Sequence, residues 1–133
     1  MSSEREKWVE VITKMLKLTQ EGKLEWKEEN ANAHFTNRAD QRVELVFTTV
    51  HRDRYLRLYD LTYQVETVDV DPYSGVPTTS VEWKTKPVLE IINKNRNALW
   101  KFPNVNALRD LLASVQYQVA GVKDFLEGFM NEE

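Results

Sequence analysis

The spacing in this chain that comes nearest to a catalytic pattern is Asp71 followed by Glu82-Trp83-Lys84. Two carboxylates on neighbouring segments can hold Mg²⁺, and a lysine beside them can support the attacking water of a metal-dependent nuclease. The pattern is short, and it is degenerate in a chain with 18 basic and 21 acidic side chains, so no hydrolysis is expected from it. Asp69 and Asp71 flank Val70 and could share a divalent cation. A calcium loop, however, brings several more oxygen ligands and a glycine at a set place. The two read as solvated loop carboxylates. His34 and His51 have no second histidine or carboxylate at helical ligand spacing, and the expectation is a hydrogen-bonded or exposed histidine in each case. No GxSxG, GxGxxG, P-loop or zinc signature occurs. With no cysteine there is no thiol nucleophile and no disulfide. No catalytic residue, metal or cofactor is therefore expected, and a small-molecule or metal-dependent binder or enzyme using residues 69–84 is the alternative reading.

Residues suited to contact rather than catalysis stand out more. Leu56 and Leu58 alternate with Tyr55, Arg57 and Tyr59, so strand geometry sends the aliphatic pair to one face and the Tyr-Arg-Tyr set to the other. Tyr and Arg are over-represented at binding hot spots, and this set is expected to form an open docking face. Tyr117 lies opposite the apolar stripe of the last helix and is expected to be exposed or at an interface. Ala107, Ser114, Gly121 and Gly128 are spaced by seven, a small-residue line that would let another helix approach closely. Glycine inside a helix costs about 1 kcal/mol relative to alanine, so Gly121 is expected to be offset by such packing, against the first helix or a second subunit.

These residues need elements to hold them. Ser3 and Glu6 form a capping-box pattern, and Trp8, Val11, Ile12 and Met15 then recur on one face, with Gly22 as the stop. The spacing predicts a helix over 3–20. From Leu24 to Phe102 the period becomes two. Val43, Leu45 and Phe47 alternate with polar residues, and His51-Arg52-Asp53 connects to a strand starting near Arg54. A phase change near Asp60 predicts a bulge or break there, and Asp71–Pro77 is a turn-rich loop. Val88–Asn93 and Ala98–Phe102 read as a final hairpin, and a short strand is possible over Ala33–Thr36. After Pro103-Asn104, the apolar stripe Leu108, Leu111, Leu112, Val115, Val119, Val122, Leu126 and Phe129 predicts one long helix of about six turns.

Composition sets the frame. A chain of 133 residues that is 41% hydrophobic and 29% charged is the size and type of one folded domain, residues 1–133. Four Trp, five Tyr and five Phe argue against disorder. The net charge is −3, and no tract is basic enough for a nucleic-acid footprint. The first twenty residues lack a signal-peptide core and no apolar run spans a bilayer, so a cytoplasmic protein without membrane or nucleic-acid partners is expected.

The segment Ala98-Leu99-Trp100-Lys101-Phe102-Pro103-Asn104, the run Ser114–Val122 and the opening Leu18-Thr19, Gly22-Lys23-Leu24 and Trp26 resemble small bacterial proteins of uncharacterised activity with a helix–sheet–helix layout. The resemblance implies that fold and supplies no catalytic residues. The expected architecture is α+β: an N-terminal helix, an antiparallel sheet of about four or five strands, and a long C-terminal helix, with the helices on one face. The expected function is a non-catalytic protein-interaction or assembly module whose partner is another protein or a second copy in a homodimer.

Overall fold

A computed structural model describes residues 4–36 and 38–132; Ser3 of the expected capping box lies outside them. Helix α1 runs Glu4–Gln20, with Glu4 and Glu6 in its first turn and Lys17 in its last, each on the side the helix dipole favours. It stops where expected. Gly22 takes a φ of +74°, and the Lys23 N–H returns to the Leu18 carbonyl at 2.9 Å, closing the free carbonyls of the last turn.

Five antiparallel strands follow in sequence order: β1 Lys27–Asn30, β2 Gln41–His51, β3 Arg54–Val70, β4 Pro77–Ile92 and β5 Ala98–Lys101. The β2–β3 hairpin turns on Arg52 and Asp53, both with positive φ, the two-residue turn whose twist matches its strands. The phase change near Asp60 is a change of core, since Leu61 packs with Tyr59 on the face opposite Leu56 and Leu58. Strand β3 is unbroken; instead Glu44 and Leu45 of β2 together oppose Asp60, between the pairs Val43↔Leu61 and Val46↔Tyr59, so the bulge belongs to β2. The expected short strand over 33–36 is replaced by β1 and a 3-10 turn, Ala31–Ala33.

Two cores lie on opposite faces of this sheet. On one, Phe47, Leu56, Leu58 and Leu89 pack against Ile12 of α1 and against Leu108, Leu111, Leu112 and Val115 of helix α2, Ala107–Val119. On the other, Val46, Tyr59 and Val88 are covered by Ala31, with Phe35, Val43 and Leu61 packed around them. The expectation of helices covering one face and leaving the other open is therefore not met, because residues 31–36 close the second face. The long C-terminal helix is also corrected. Gly121 adopts φ +68° and breaks it into α2 and a nine-residue α3, Val122–Met130, which has no buried residue. Among the described residues no helix is long and apolar enough to cross a membrane.

The distal halves of β3 and β4 differ from all of this. β2 pairs with β3 only as far as Gln41↔Tyr63, whereas β3 and β4 remain paired out to Val70↔Pro77. Residues 64–83 thus form a two-stranded arm projecting beyond the sheet. Every residue from Glu66 to Thr85 is exposed. The turn-rich loop expected over Asp71–Pro77 is the tip of this arm, and β4 begins at Pro77 rather than at Val88.

Candidate functional site

The most elaborate polar arrangement lies under the second face. Arg57 and Glu90 face each other across β3 and β4, and the Arg57 Nη2 and Nε donate to Glu90 Oε1 at 2.9 and 3.1 Å. Arg57 is 3% exposed and Glu90 5%. The third nitrogen of the guanidinium, Nη1, reaches the Arg96 carbonyl at 2.9 Å and His34 Nδ1 at 3.3 Å, while the group stacks 4.6 Å above the Phe35 ring. Arg57 can only donate, so His34 Nδ1 must accept and its Nε2 carries the proton, which it donates to Glu29 Oε1 at 3.0 Å. Thr48 donates to the other Glu29 oxygen.

The electrostatics follow from this chain of contacts. Burial lowers the His34 pKa, and the hydrogen bond to Glu29 only partly opposes it, so the imidazole is neutral near pH 7. Burial pushes the Glu29 carboxyl up, but hydrogen bonds from Thr48 and His34 outweigh it and hold it below the usual carboxylate range. Burial first, and the Glu90 carboxylate second, raise the Tyr59 phenol far above its ordinary value. Both nitrogens of His34 are occupied and its side chain is 1% exposed. It is placed to join strands, with no lone pair facing solvent for a substrate proton or a metal.

This geometry corrects the expected docking face. Tyr55 is half exposed, but Arg57 and Tyr59 are interior, because Phe35 lies edge-on to Tyr59 at 4.8 Å and caps Arg57. Within this chain Gly121 and Gly128 do not mediate close helix packing either. A Cβ built at either would meet nothing within 4 Å, and Gly121 is glycine because its left-handed φ penalises any side chain. Ala107 packs on the main core. Ser114, Tyr117 and Gly121 do come together, lining a shallow groove of about 600 Å³ between α2 and the end of α1, and Tyr117 is half exposed as expected.

The residues of the nuclease-like pattern are dispersed along the arm. Glu82 pairs with Val65 and Lys84 with Tyr63, while Asp71 sits in the terminal turn. Asp69, four residues beyond Val65 on the same face, is about 13 Å from the Glu82 position. Asp71 instead caps its own turn, accepting from the Tyr73 N–H at 2.8 Å, which lowers its pKa together with Ser74. Among the described residues no group of three or more His, Asp or Glu could hold a metal ion.

An open cavity of about 800 Å³ adjoins the polar network. It lies between the 22–27 segment, the ends of β2 and β3 and the 92–96 loop. Thr48 and Thr49 are in its floor, and Lys23, Lys27, Lys94 and Arg96 are among its lining side chains. Its two carboxylates are Glu25 and Glu29, and Glu29 is already engaged by Thr48 and His34. Lys27 and Arg96 approach Glu29 only at 3.8 and 3.7 Å, which leaves most of their hydrogen-bond donors unused.

Gln118 is a positioning residue that the sequence reading passed over. Its amide accepts from the Trp26 N–H at 2.8 Å and donates to the Thr19 and Leu24 carbonyls at 3.0 and 2.9 Å, tying the end of α2 to the segment that borders the cavity. A charged residue inside each of two apolar runs, Leu56-Arg57-Leu58 and Leu89-Glu90-Ile91, was the available signal for the buried ion pair. No protein-family model matches the chain, and no curated protein and no solved structure matches it either.

Proposed function

We propose that this chain is a non-catalytic protein-interaction module and that its arm, residues 64–83, is the docking element. One observation carries the reading: β3 and β4 stay paired for seven residue pairs beyond the last β2 pair, Gln64↔Trp83 to Val70↔Pro77, and every residue from Glu66 to Thr85 is exposed. On the arm's one face stand Val68, Val70, Val81 and Trp83, all exposed. A two-stranded hairpin is marginal in water by itself, and an unpaired strand edge is a ready template for another chain. Such an element gives the domain nothing in stability and much in reach. The interior histidine and the scattered carboxylates favour binding over chemistry.

The experiment replaces residues 66–81 by an Asn-Gly turn, the two-residue connection that suits a hairpin. The shortened chain is expected to keep its circular dichroism and unfolding midpoint while losing self-association in sedimentation and any partner retained from a native lysate. Unchanged mass and an unchanged partner profile would overturn the reading.

A further inference from the structure

The two ends of the sheet carry opposite charge. The arm, residues 64–83, holds Glu66, Asp69, Asp71 and Glu82 and not one lysine or arginine. Its tip is a hydrogen-bonded turn: the Asp71 N–H bonds to the Val76 carbonyl at 3.1 Å, and the Gly75 N–H bonds to the Asp71 carbonyl at 2.8 Å. At that tip Tyr73 is 98% exposed, a large ring held entirely in solvent. The cavity at the other end is lined by Lys23, Lys27, Lys94 and Arg96 against Glu25 and Glu29. Tyr55 of β3 borders it, and Val70 begins the tip, so about 50 Å of strand separates the two. An arm cannot reach its own cavity.

We infer that the basic cavity receives the acidic tip of the arm of a second copy. This rests on the reading of the arm as a docking element and names its partner. Tyr73 would enter the cavity, and Asp69 and Asp71 would meet Lys23 and Lys94 at its mouth. The prearranged turn limits the ordering cost of the contact. Donor and acceptor lie at opposite ends of one chain, so the contact either closes reciprocally between two antiparallel copies or repeats from copy to copy into a ring or a filament. Partly exposed charges carry the attraction, so it weakens as salt rises.

A charge swap tests this. One variant reverses the cavity (Lys23→Glu with Lys94→Glu), and the other reverses the tip (Asp69→Lys with Asp71→Asn, the asparagine keeping the turn's side-chain hydrogen bond). At low ionic strength the unaltered chain is expected to gain mass with concentration in sedimentation. Each variant alone associates at least tenfold more weakly, and a one-to-one mixture regains assembly, since each arm then finds a cavity of opposite sign. A monomeric unaltered chain, or a mixture no better than its components, overturns the inference. If self-association persists in both variants but is lost on shortening the arm, the interaction reading stands and the cavity is not its acceptor. If the unaltered chain is monomeric but the shortened chain loses a lysate partner, the acceptor is another protein.

Discussion

Strands β3 and β4 are each two things along one length. Over Leu56–Tyr59 and Val88–Leu89 they are buried on both faces, by α1 and α2 on one side and by residues 31–36 on the other. From Glu66 to Thr85 they are exposed on both. Register and backbone hydrogen bonding continue across the boundary without a shift. What changes is the neighbours, so side-chain identity, and not strand geometry, separates a core from an exposed arm. Arg57 is aromatic-capped and paired with Glu90 in the interior, whereas Trp83 is exposed with Arg42 4.5 Å over its ring.

The comparison breaks most visibly at the buried pair. Glu90→Leu strands the Arg57 charge in the interior and is expected to cost about 3–5 kcal/mol in denaturant unfolding. Adding Arg57→Met should recover much of that loss, because an apolar pair of similar volume replaces a buried ion pair at little cost. A double variant as unstable as the single one would mean that Arg57 serves mainly to anchor His34 and the Arg96 carbonyl.

Truncation along one strand sharpens the same contrast. Leu58→Ala is expected to lose about 2–5 kcal/mol, and Val68→Ala and Val81→Ala to stay within about 0.5 kcal/mol of the unaltered chain. Equal losses in the two regions would show that the arm is covered within the monomer.

The smallest effect concerns pH. His34 titrates in the folded chain below its ordinary value of 6.5, so the unfolded chain takes up that proton first. Its contribution to stability is complete above about pH 6.5 and is lost as pH falls through the folded value. Glutamine at this position can still accept from Arg57 and donate to Glu29. His34→Gln is therefore expected to flatten unfolding stability between pH 7 and 5, and an unchanged slope would place the titration elsewhere.

Local rules made part of this legible in the sequence. Helix α1, the Gly22 stop, the Arg52-Asp53 turn and the final hairpin each rest on neighbours a few residues apart. The apolar stripe from Leu108 to Phe129 was also real, but periodicity cannot report one φ. Gly121 turns left-handed and separates Phe125 and Phe129 from the core that their spacing promised. The bulge or break expected in β3 near Asp60 was not met: the apolar set passes from one core to the other at Leu61 while the strand alternates unbroken, and a separate bulge lies opposite in β2. The second face was illegible for a related reason. Its cover, Ala31 to Phe35, has no period of its own, so Arg57 and Tyr59 looked exposed. The cavity joins residues near 25, 50 and 95, a proximity that only the pairing of β2, β3 and β4 creates.

Amide hydrogen exchange at two protein concentrations tests the central claim, that the arm is a docking element and no part of the core. Amides of 56–59 and 88–91 should be equally protected whether the protein is dilute or concentrated. Those of 64–83 should exchange quickly when dilute and slow on concentration, together with amides of 23–27 and 93–96. Arm amides as protected as the core at every concentration, or unprotected at every concentration, would contradict the account.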